Sequence, residues 1–206
     1  MKSQRWITAA ALAATVALGT AACSGSADEA EPAASPSTST GTTTTDAASQ
    51  HNGADTEFAQ MMIVHHQGAI EMATLAGEKA TTDDVRALAQ RIEAAQGPEI
   101  ELMSGWLDSW GEEQPEDAEM AGMGHEGMDM GGMDQRSAMT DLEGLSGTAF
   151  DKRFLELMIE HHRGAIVMSE TEIADGSNAD ATQLARSIID AQTAEITEMT
   201  NLLNAL

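Results

Sequence analysis

The 206-residue sequence has a single cysteine, no tyrosine and few aromatics of any kind, and only ten Lys and Arg stand against 34 Asp and Glu. Each scarcity excludes something. One cysteine cannot pair with itself, so no disulfide staples the fold. A formal charge of −24 repels a phosphate backbone and excludes nucleic-acid binding. No alternating strand pattern occurs, while Ala, Leu, Met, Glu and Gln dominate, all of which suit helices. There is no glycine-rich phosphate loop, nucleophile with a paired base, or Cys/His zinc pattern, so a hydrolase or nucleotide enzyme has no chemistry to use. The chain reads as a binding protein, not an enzyme.

The first 22 residues read as a removable export signal. Lys2 and Arg5 give the positive start, and Ile7 to Leu18 give an apolar run too short for a mature membrane span. Cys23 follows Thr20-Ala21-Ala22 in a segment resembling the lipobox at which bacterial lipoproteins are cut and acylated, with Thr20 where Leu is usual. Plain secretion with a leftover thiol is the alternative. The expectation is a protein held on the exterior or periplasmic face of the membrane by its lipid alone. Residues 23–54, rich in Ser, Thr, Ala, Pro and Asp, have little to bury and read as a disordered tether.

From Phe58 onward the sequence repeats itself. An offset of 96 residues aligns Phe58–Leu107 with Phe154–Leu203 without a gap. Each copy, 55–110 and 148–206, reads as two helices, with breaks at Gly77 or Gly176 and caps from Thr82-Asp83-Asp84 or Ser177-Asn178. Two such hairpins bury their apolar stripes most simply against each other, as an all-α four-helix bundle built from tandem hairpins. Gly97-Pro98 should kink or break the second helix. Residues 111–140 between the copies read as a linker, and Gly111 to Met139 as a loop.

The chemistry lies in Met-x-x-His-His, present at Met62, His65 and His66 and again at Met158, His161 and His162. At about 100° per residue, Met62, His65, His66, Ala69 and Met72 share one helix face, opposite Glu71. The repeat places Met158, His161, His162 and Met168 likewise. Buried imidazoles need partners, and thioether with imidazole suits copper, Cu(I) above all, with Ag(I) binding for the same reasons. Methionine binds without deprotonation and persists where thiols oxidise. The plainer reading is that the methionines fill a core and the histidines bond to buried carboxylates. Glu99 and Glu195, four residues before Met103 and Met199, read as inward acids that orient a ligating histidine. Between the copies, Met120, Met123, His125, Met128, Met130 and Met133 stand among glycines. That tract can wrap a soft ion as an accessible capture or transfer site.

The combined pattern, Phe58-x3-Met62-x2-His65-His66-x2-Ala69-x2-Met72 with Gln96-x2-Glu99-Ile100-x2-Met103, both repeated, resembles the DUF305, or CopM-like, family of exported bacterial proteins. The resemblance covers residues 55–206. It implies a ferritin-like four-helix bundle that binds copper outside the cytoplasm, in resistance or trafficking, either sequestering Cu(I)/Cu(II) or transferring it to other copper-handling proteins. A ferritin-like di-iron oxidase is the competing reading, but it wants Glu-x-x-His on two helices, and methionine stands at that position. An inert structural lipoprotein leaves the methionine tract unexplained.

Overall fold

A computed structural model of the chain describes residues 50–115 and 133–206. Among the described residues there are five helices and no strands: α1 (Gly53–Lys79), α2 (Asp83–Trp110), α3 (Gln135–Glu143), α4 (Gly147–Asp175) and α5 (Ala179–Ala205). The expected four-helix bundle is formed by α1, α2, α4 and α5, with α1 against α2, α4 against α5, and α1 against α4 across the hairpins. None of these helices is long and apolar enough to cross a membrane.

Local chemistry sets the ends. Asn52 caps α1, accepting from the Ala54 and Asp55 amides, while Asp55 bonds back to the Asn52 amide at 2.6 Å in a capping box. Asn178 caps α5 in the same manner through the Asp180 and Ala181 amides. Thr82 occupies the cap position of α2 without a side-chain bond. There the exposed amides are met from the other hairpin: Asp151 of α4 accepts from the Thr81 amide at 2.9 Å and the Thr82 amide at 3.0 Å. Its repeat partner Asp55 accepts from the Ser177 amide at 3.1 Å and the Asn178 amide at 2.8 Å. Each hairpin thus caps the turn of the other, and both carboxylates are fully buried.

Three expectations need correction. The breaks fall at residues 80–82 and 176–178, so Gly77 lies inside α1 rather than at its end. Pro98 does not break α2, which is helical from Asp83 to Trp110. Pro98 and Ala94 are both exposed, so the carbonyl deprived of its donor faces water instead of the core. Residues 135–143 are helical rather than loop. Short α3 docks through buried Ala138 and Leu142, and the Gln135 side chain donates to the Gly68 carbonyl at 2.9 Å. A Cβ on Gly68 would press on that side chain, so glycine there admits α3 to the bundle.

Candidate metal centre

α1 and α4 carry the two Met-x-x-His-His segments into the interior, and all four histidines are buried. They do not gather at one point. His65 and His161 turn toward the α1–α4 interface, where their rings stack with centroids 3.6 Å apart. His161 Nε2 donates to the His65 carbonyl at 2.8 Å. Burial pushes the His161 imidazole down to about 3, so it is neutral. Next in sequence and about 100° round the helix, His66 and His162 turn instead toward the second helix of their own hairpins. His66 Nε2 lies 2.7 Å from Glu99 Oε2 on α2, and His162 Nε2 lies 2.7 Å from Glu195 Oε2 on α5.

These two pairs are the same pair made twice by the repeat. A carboxylate only accepts, so Nε2 carries the proton and the lone pair of a neutral ring is left on Nδ1. Nδ1 of His66 and of His162 is buried without a hydrogen-bond partner, as is Nδ1 of His161. A buried imidazole whose proton is fixed by a carboxylate and whose other nitrogen is unengaged is the arrangement that presents a ligand to a metal. Glu99 and Glu195 are each about one-quarter or less exposed, which leaves the pair a route to solvent.

The thioethers are sorted differently from the single-stripe expectation. Met62 and Met72 share a helix face, but ten residues at ~1.5 Å each separate them by about 15 Å along the axis. They cannot hold one ion together. Met62 packs in one apolar cluster with Met103 of α2 and Met168 of α4. Met158 packs in the other with Met199 of α5 and Met72 of α1. The two sets interchange under the repeat, and each draws methionines from three helices. Met168 is half-buried, and the other five are fully buried.

Among the described residues no three His, Cys, Asp or Glu side chains converge to hold an ion. The buried donors that the repeat places in both halves of the interior are imidazole nitrogen and thioether sulfur, a soft donor set. Of the methionine tract, Met120, Met123, His125, Met128 and Met130 lie outside the described residues, as does Cys23. Met133 is half-buried against the core beside Arg153.

Sequence reasoning left several polar residues without a role. Gln96 and Gln192 are buried one turn before Glu99 and Glu195, each with a side-chain oxygen lacking a partner. Their repetition in both copies was the available signal. Asp55 and Asp151 also repeat. His51, within the stretch expected to be tether, stacks on Trp110 at 4.6 Å and bonds to Glu112, closing the N-terminal end over α2.

The fold and this interior define a duplicated helical bundle with a His/Met core. The chain belongs to the DUF305 family, described as a domain of unknown function, whose model matches residues 55–203. Solved structures agree. A DUF305 fragment from Deinococcus radiodurans is 29% identical, with a TM-score of 0.66 over 75% of this chain and 98% of that one. A DUF305 protein from Streptomyces coelicolor is 34% identical, with a TM-score of 0.66 over 74% and 93%. CopM in its Cu(II)-bound form is 32% identical, with a TM-score of 0.62 over 73% and 96%, and its Cu(I)-bound and Ag-bound forms also match. No curated protein matches the chain.

Proposed function

We propose that this protein is a copper-binding lipoprotein of the cell exterior or periplasm, anchored through Cys23, that takes up monovalent copper and passes it on without catalysing a reaction. The observation that carries the proposal is the twofold occurrence of a buried histidine whose Nε2 is held by a glutamate and whose Nδ1 has no partner. Similarity to CopM, solved with Cu(I), Cu(II) and Ag, supports the choice of ion. His66 and His162 offer Nδ1, and the thioethers of their cores complete a set that prefers Cu(I) and Ag(I) to harder ions. Glu99 and Glu195 orient the rings. His65 and His161, stacked on one another, remain ligand candidates only through further movement of their rings. The tract from Met120 to Met133 serves capture from, and release to, other copper-handling proteins. A di-iron oxidase is disfavoured because iron wants several carboxylates around one point.

The test is anaerobic Cu(I) titration of the full chain against Zn(II) and Fe(II), with H66A/H162A and a deletion of 120–133. Preference for Cu(I) that weakens in both variants supports the proposal. Binding no tighter than that of zinc, or unchanged in both variants, refutes it and favours an inert structural protein. Iron-dependent oxygen consumption would favour the oxidase.

A further inference from the structure

The two ends of the bundle are built alike except at one place. At one end Asp151 receives the Thr81 and Thr82 amides, and the turn beside it is closed by Ala76 and Ala80, both buried. At the other end Asp55 receives the Ser177 and Asn178 amides and the Ser177 hydroxyl. Here the repeat positions of the two alanines carry Glu172 and Gly176. The exchange is coordinated, because a Cβ on Gly176 would overlap the Glu172 carboxyl.

Glu172 is 1% exposed, and no N–H or O–H donor bonds to either of its oxygens. Its polar neighbour is the carboxylate of Asp55, itself 0% exposed. Among the described residues no Lys, Arg or His pairs with either acid. From α1 the facing charge is Asp55. The acids of neighbouring turns, Asp175 of α4 and Asp180 of α5, are solvent-exposed. Asp55 is surrounded by donors: burial alone would raise it, but the Asn178, Asn52 and Ser177 amides hold it below the usual carboxylate range. Glu172 has no such donors. Burial, and then the adjacent Asp55, pushes it up to about 8. A carboxyl group facing a carboxylate satisfies itself by donating the proton it retains.

We propose that Glu172 and Asp55 share one proton, and that this proton latches the first turn of α1 to the α4–α5 turn, so that this end of the bundle, and not the other, loosens in alkaline medium. Asp55 supplies the acceptor, already fixed by the amides of the turn, and Glu172 supplies the O–H from the last turn of α4. Loss of the proton leaves two buried negative charges side by side. The inference is independent of the copper reading.

The sign follows from which state holds the proton. Below the ordinary glutamate value both the folded and unfolded chains are protonated at Glu172, and the latch contributes fully. From there up through about 8 the folded chain keeps a proton that the unfolded chain has lost, so stability falls as pH rises. Thermal unfolding of the full chain from pH 5 to pH 9 tests this, alongside E172Q, which keeps a neutral group, and E172A, which installs the residue found at Ala76. The wild type should lose roughly 5–15 °C relative to both variants across that range. The same pH dependence in all three chains overturns the proposal. So does recovery of the wild-type midpoint at pH 9 by Ca²⁺ with no response in E172Q, because the pair would then be a cation site rather than a proton latch.

Discussion

His66 is joined to Glu99, Nε2 to Oε2 at 2.7 Å, across a sequence separation that His162 and Glu195 reproduce at the same distance. The bond fixes the ring, assigns its proton, and turns Nδ1 into the apolar core. Replacing the carboxylate should therefore weaken metal binding without unfolding the bundle. Glu99→Gln and Glu195→Gln are each expected to cost about 10–100-fold in Cu(I) affinity at their own hairpin. Competition with a chromophoric Cu(I) chelator measures this, and an unchanged affinity in the double variant would remove the glutamates from the account.

The methionine clusters separate ligand from filler. Leucine preserves the volume of a buried methionine at a cost of less than ~1.5 kcal/mol but has no sulfur. Met62→Leu with Met158→Leu should leave the thermal midpoint within a few degrees and lower Cu(I) affinity at least tenfold. A loss of stability without a loss of affinity would assign these side chains to packing alone.

Asp151 closes the α2 turn from the opposite hairpin, so its removal should loosen the two hairpins from one another. Asp151→Ala strands the Thr81 and Thr82 amides, and about 2–3 kcal/mol should be lost, roughly 4–12 °C in midpoint. Burial raises this carboxyl, but the Thr81 and Thr82 donors outweigh it and hold it below the ordinary value of 3.8. Its contribution is therefore present above that value and lost as pH falls through the lower folded one. Asp151→Asn should flatten the acid limb of the stability profile, as read by circular dichroism between pH 5 and pH 2.

Pro98 sits within α2 with its ring in solvent. Alanine there would restore a helical N–H, and Pro98→Ala should raise the midpoint by several degrees. A lower midpoint would show that the proline adjusts the course of α2 beside Glu99.

Much of the fold could be read from the repeat. An offset that pairs Phe58 with Phe154 and Met103 with Met199 requires two similar hairpins, and helical periodicity sets which faces are buried. What escaped was governed by tertiary contacts. Gly77 resembles a break because glycine marks helix ends on average, yet α1 continues to Lys79, and the turn is set by the carboxylate of Asp151 some seventy residues away. Helix α3 escaped because a nine-residue, mostly polar segment carries a stripe only one turn long, from Ala138 to Leu142, and is held in place by that turn and the Gln135–Gly68 bond. The candidate ligands were found by helix face, but angle alone ignores distance along the axis. That is why Met72 groups with Met158 rather than with Met62, whereas the step of about 100° between neighbours sends His65 and His66 to different interfaces.

In the proposed site the monovalent ion binds through Nδ1 of His66 and His162 while Nε2 keeps its proton against glutamate. Silver nuclei couple to a bonded nitrogen, so ¹⁵N NMR of the Ag(I)-loaded, ¹⁵N-labelled full chain reports the ligating atom directly. Silver–nitrogen coupling at Nδ1 of His66 and His162, with the Nε2 protons retained, is the predicted result. Coupling at Nε2, or no coupling at either histidine with silver bound in the core, would contradict it.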